Sequence, residues 1–174
     1  DGAAPRPDYK DIAFAKGVTA HRPFMGEDLK PSTAWHTEFQ DVNNDGLVDL
    51  FIAKGNVAEM PDFALKDPNN LLMQGADGTF TEMADKAGIA STLVSRGGAL
   101  ADFNLDGLID LLVVNRWENA QIWRNTTESA GNAILLRLAQ EGPNVNAIGA
   151  VIEVKTADGV QRREVTSGGG HVSG

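Results

Sequence analysis

The chain has 174 residues, 42% of them hydrophobic and 19 of them glycine, enough to bury one sizeable core. A net charge of −9 makes nucleic acid or an anionic membrane surface an unfavourable partner. There is no cysteine on which to build a disulfide framework, and no apolar stretch approaches the length of a membrane span, so no membrane insertion is expected.

In chain order, YKDIAFAKGV (9–18) comes first, and it aligns with FTEMADKAGI (80–89), both ending at glycine and an aliphatic residue. Strands are predicted at TAWHTEF (33–39), DLFIA (49–53) and NNLLMQ (69–74). The Asp-Gly turn within ADGT (76–79) leads into a fourth, TFTEMA. A second set follows at GGALADF (97–103), DLLVV (110–114) and AQIWRN (120–125). Each unit therefore reads as about four antiparallel strands, a sheet that cannot bury both faces alone and should stack against a neighbouring copy, as propeller blades do. Residues 131–174 change character, with alternating segments AILLRLA (133–139), AVIEVKT (150–156) and QRREVTS (161–167). Asp158 and Gly159 supply a hairpin signal between the last two.

The first and second strands of each unit are joined by an aspartate-rich loop, DVNNDGLVD (41–49) or DFNLDGLID (102–110), offset by 61 residues (102 − 41). Asp41, Asn43, Asp45 and Asp49 recur as Asp102, Asn104, Asp106 and Asp110, around Gly46 and Gly107. Alternating side-chain oxygens about a glycine-tight turn suit a hard cation such as calcium, which takes six to eight oxygen ligands. The carbonyls of Leu47 and Leu108 are the expected backbone ligands, and two calcium ions are expected. An EF-hand is rejected: position 12 is Ile52 or Val113 instead of Glu, and a strand follows where a helix is required. Asp, Asn and Gly are also good turn formers, so a metal-free turn is the competing reading. Clustering three carboxylates in one turn argues against it, because they repel one another unless a cation sits among them.

The pattern DxNxDGxxD followed by an apolar strand resembles the FG-GAP or VCBS repeats of integrin-α-like β-propellers, over about residues 8–128. The wording NAIGAVIEV, QRREV and SGGGHVS resembles the ASPIC/UnbV domain, which follows FG-GAP repeats in bacterial and animal proteins. The resemblance implies a mainly β chain: antiparallel four-stranded, propeller-type blades over residues 1–128, then part of an ASPIC/UnbV-like β module over 131–174. It also implies calcium at the blade periphery, where it pins a loop instead of catalysing. Propellers close with four to eight blades, so neighbouring blades of a longer chain are expected beside these two. His171 departs from the ASPIC/UnbV pattern, standing where an aromatic residue is usual.

No catalytic or organic cofactor-binding residue is assigned. His21, His36 and His171 lie in no recognised catalytic motif, and His36 reads as a packed or edge residue. The run Gly168, Gly169, Gly170 reads as a bend, since neither a phosphate-loop pattern nor a helix start accompanies it. Trp35, Trp117 and Trp123 suit either a sugar-stacking surface or packing. Trp117, in the loop RWEN (116–119), is the exposed candidate for ligand contact. The expected role is non-catalytic binding, adhesion or scaffolding of an extracellular protein or carbohydrate, in an extracellular or periplasmic setting. The alternative is a substrate-binding segment of a larger secreted hydrolase or lyase.

Overall fold

A computed structural model describes residues 6–18, 32–57, 65–157 and 159–168. His21, Asp158, Gly169, Gly170 and His171 lie outside the described residues. Strands β1 (Ala34–Gln40), β2 (Asp49–Lys54), β3 (Asn70–Gln74) and β4 (Phe80–Glu82) form a four-stranded antiparallel sheet, in that order. Strands β5 (Ser95–Ala101), β6 (Asp110–Asn115) and β7 (Gln121–Trp123) form a three-stranded antiparallel sheet. The hairpin β8 (Val151–Thr156) and β9 (Gly159–Glu164) forms a third, two-stranded sheet.

The 61-residue offset holds at the level of hydrogen-bond register. Ala34 faces Lys54 and Gln40 faces Asp49; Ser95 faces Asn115 and Ala101 faces Asp110. A register shift falls between Ala34 and His36 in one sheet and between Ser95 and Gly97 in the other. An irregularity repeated at the same position is a designed feature of the repeat.

Period-2 alternation decides which faces meet. Phe51, Ala53 and Leu71 of the first sheet pack against Leu100, Leu111 and Val113 of the second, with Ala84 and Ile89 completing the cluster. Full burial of each larger side chain contributes about 1.5–3 kcal/mol. Gly98 lets the sheets approach: a Cβ there would lie 3.1 Å from both His36 Cδ2 and the Phe51 ring. Leu50, Ile52 and Leu72 point to the opposite face of the first sheet, where Val18 and Phe80 pack on them. The sheets stack as consecutive propeller blades do.

The resemblance between residues 9–18 and 80–89 is also structural. Lys16, Gly17 and Val18 donate their N–H groups to the carbonyls of Ile12, Phe14 and Ala13. Shifted by 71 residues (88 − 17), Ala87, Gly88 and Ile89 donate to Met83, Asp85 and Ala84. Gly17 and Gly88 take φ of 76° and 73°, a left-handed conformation that favours glycine.

Three expectations need correction. Residues 133–139 form no strand, and Ile134 and Leu135 are exposed. The fourth strand shrinks from 79–84 to Phe80–Glu82: the Met83 N–H still reaches Leu71 O, but its carbonyl already accepts the Ala87 N–H of the turn. The second sheet starts at Ser95, two residues before the expected Gly97, since Ser95 and Arg96 are buried despite being polar.

Candidate metal centres

Each aspartate loop closes on itself through the same set of hydrogen bonds. In the first, Asp41 Oδ1 accepts the Asp45 N–H (3.1 Å) and Oδ2 accepts the Gly46 N–H (2.8 Å). Asp45 Oδ1 accepts the Leu47 N–H at 2.8 Å, while its Oδ2 accepts Asn43 Nδ2 at 2.9 Å. Asp49 spans two strands, accepting the N–H groups of Val42 (3.1 Å) and Gln74 (2.9 Å). The second loop repeats every one of these. Asp102 accepts from Asp106 (3.1 Å) and Gly107 (2.8 Å), and Asp106 from Leu108 (3.0 Å) and Asn104 (2.9 Å). Asp110 accepts from Phe103 (3.2 Å) and Asn125 (2.8 Å).

The backbone follows suit. Asn44 and Leu105 hold φ of 57° and 61°, and Gly46 and Gly107 hold 89° and 88°. Asn tolerates this region through its short polar side chain, whereas Leu105 pays for it sterically. Asp49 and Asp110 are buried at the first residue of β2 and β6, and the other ligand positions lie half-buried or exposed at the sheet end.

Electrostatics separate the loops. Burial pushes the Asp41 carboxyl above the ordinary carboxylate range, opposed by the Gly46 N–H and reinforced by the charge of Asp45. Asp49 is likewise raised by burial, with Asp45 and Asp41 adding repulsion against the N–H groups of Gln74 and Val42. Asp106 is held low, first by the Leu108 N–H and then by Asn104 and Arg124. Arg124 Nη2 lies 3.1 Å from Asp106 Oδ2, a cation with no counterpart at Asp45 among the described residues.

The loops also touch. Asn44 Nδ2 donates to Gly107 O at 2.9 Å. Asn125 Nδ2 donates to Val42 O at 2.8 Å and to Ile109 O at 3.1 Å, straddling both. Gly131 donates its N–H to Asn43 O at 3.1 Å, and a Cβ on it would lie 2.0 Å from Asn44 O.

Among the described residues no three His, Cys, Asp or Glu side chains converge as a ready cage. The fit of a cation rests on the donor set. Each loop offers three carboxylates, one amide oxygen and one peptide oxygen, all hard donors. Burial first, and neighbouring carboxylates second, disfavour the charged forms of Asp41 and Asp49, a cost that a cation beside them would offset. These residues fit calcium.

Other residues fall elsewhere. His36 is buried, with Nε2 3.2 Å from Glu38 Oε2, and Glu38 Oε2 accepts the Leu100 N–H at 3.1 Å from the other sheet. Trp35 and Trp123 are half-buried, and Trp123 packs on the core. Trp117 is 65% exposed, with the Arg116 guanidinium 4.1 Å above its ring.

Sequence reasoning missed the opposite pole of the sheets. There Lys54 Nζ lies 3.2 Å from Asp67 Oδ2, both side chains fully buried, and Ser32 Oγ also donates to Asp67. The Arg96 guanidinium lies 4.3 Å above the Trp35 ring. It donates to the carbonyls of Gly55 (2.9 Å), Ser95 (2.8 Å) and Asn56 (2.9 Å). Lys54 ending an apolar run was the one available signal.

No curated protein matches the chain significantly. Two family models do: the FG-GAP-like repeat over residues 41–113 and ASPIC and UnbV over residues 140–174. FG-GAP-like repeats are typically extracellular binding modules, and among the described residues no helix is long and apolar enough to cross a membrane. With the paired loops and stacked sheets, these matches identify an FG-GAP-like repeat at residues 41–113, followed by ASPIC and UnbV residues at 140–174.

Proposed function

We propose that the chain is a non-catalytic, calcium-stabilised binding or scaffold module working in an extracellular or periplasmic setting, with one calcium ion in each aspartate loop. The observation that carries this reading is the hydrogen-bond set repeated residue for residue around Asp41, Asn43, Asp45, Asp49 and around Asp102, Asn104, Asp106, Asp110. A turn alone needs no third buried aspartate crowding the first two. With the carbonyls of Leu47 and Leu108, these residues would hold the ions. A bound ion supplies positive charge and nothing else; the chain's own residues join β1 to β2 and β5 to β6. Trp117 and the adjoining loop are the proposed contact for an extracellular protein or carbohydrate ligand.

Calcium that binds only the folded chain stabilises it by about 2.7 kcal/mol per site at a hundredfold excess over Kd. Thermal unfolding in EGTA, then in millimolar calcium and in millimolar magnesium, tests the reading. The expected result is a rise specific to calcium. Asp45→Ala and Asp106→Ala should each remove part of it, Asp45→Ala the larger part, and the double variant all of it. Equal melting temperatures for the double variant and the parent in saturating calcium would sink the proposal.

A further inference from the structure

The two stacked sheets differ in one element, and the chain carries a spare copy of it. The first sheet has β4; the second has three strands among the described residues, and Ile122 at its outer edge is 72% exposed. Shifting the turn at 83–89 back by 71 residues places Tyr9, Lys10 and Asp11 where Phe80, Thr81 and Glu82 of β4 stand. Asp11 Oδ1 accepts the Ala13 N–H at 3.0 Å, just as Glu82 Oε1 accepts that of Ala84 at 2.6 Å. Yet residues 9–11 lie in no sheet, and Tyr9 is 89% exposed.

The surroundings of the two turns mirror this difference. A Cβ on Gly17 would lie 2.5 Å from Phe80 O, so that turn rests on β4. A Cβ on Gly88 meets no described atom within 4 Å. Beside Gly88 runs a groove lined by Asp85, Ser91, Leu93, Gln121 and Trp123, where a fourth strand would lie.

We propose that this groove is a strand-acceptor site, and that its occupant is residues 9–11 of a second copy of this chain, added antiparallel to β7. In the register of β3 with β4, Leu72 faces Glu82 and Gln74 faces Phe80. Since Leu72 and Trp123 hold equivalent places opposite Leu50 and Leu111, Trp123 faces Asp11 of the second copy. Asn125 then faces Tyr9 of the second copy. Lys10 of the second copy meets Arg124, a like-charge pair that weakens the contact and should ease as salt rises. Two copies that exchange strands reciprocally close as a dimer, and head-to-tail copies that do not close leave a donor and an acceptor free and grow with concentration.

Two variants of the full chain test it, read by sedimentation velocity in calcium. Leu71 directs its peptide group outward, its carbonyl accepting the N–H of Met83, just past β4, and its N–H donating to the Glu82 side-chain Oε1 at 3.2 Å. Ile122 is its counterpart, so Ile122→Pro removes an outward donor and spares the ladder to β6, a substitution edge strands tolerate. Deleting residues 1–11 removes the donor strand. The parent should form concentration-dependent dimers or larger species, and each variant alone should be monomeric. Mixed, they should form one-to-one dimers that grow no further, since one keeps the donor and the other the acceptor. A parent that stays monomeric, a variant that associates alone, or a mixture that fails to pair would overturn the proposal. None of these outcomes depends on whether the aspartate loops bind calcium.

Discussion

Single residues tell the two aspartate loops apart, although their hydrogen bonds coincide. Arg124 places its guanidinium 3.1 Å from Asp106, where it competes with any cation, while burial, with repulsion from Asp45, disfavours the charge on Asp41 and Asp49. The second loop should therefore bind calcium more weakly. Arg124 is 68% exposed, and such pairs contribute about 0.2–1 kcal/mol, so Arg124→Gln should tighten that site no more than about fivefold. Calorimetric titration of the Asp45→Ala background, where only the second site remains, measures it. Asp77 gives a pH signature away from the loops. Its carboxylate accepts the Thr79 N–H at 2.9 Å and the hydroxyl at 2.7 Å, and these bonds hold its pKa below the ordinary value. A depressed carboxylate stabilises the fold above its unfolded pKa of about 3.9 and ceases to as pH falls through the folded value. Asp77→Ala should therefore melt earlier than the parent at neutral pH, and the gap should narrow in acid.

At the scale of strands and sheets, what decides stability is how closely β5 approaches β1 and β2. Gly98 sits where a side chain would press on His36 and Phe51. Gly98→Val should cost about 1–3 kcal/mol by overpacking, and Phe51→Ala about 3–5 kcal/mol through the cavity it leaves; the urea midpoint reads both. The loops and the strands after them were legible because their ligand spacing and apolar runs are local signals. Residues 133–139 misled for a physical reason. AILLRLA alternates as a strand should, but a strand needs an edge to pair with, and alternation does not say whether one is present. Arg96 was invisible for the converse reason, since its partners are the carbonyls of Gly55 and Asn56, some 40 residues away. Of the candidate site, the side-chain positions were readable; Asn44 and Asn125, which join the two loops, carry no local pattern.

Across the whole molecule, Asn125 makes the two sheets one unit. Its side chain donates to Val42 O and Ile109 O, and its Oδ1 accepts from Thr127. Asn125→Ala strips donors from two carbonyls, at about 1–3 kcal/mol each if they are left unsatisfied. Differential calorimetry should show a lower and broader transition as the sheets melt less cooperatively. Gly131 has a mechanical consequence. Leaving β7, the chain crosses to the first loop, where Gly131 is held by Asn43 O and lies against Asn44 with no room for a side chain. Tension applied through residues 140–174 thus meets this clasp before it reaches β7. The load is spread onto the loop that joins β1 to β2, and short β7 is shielded from being peeled off strand-first.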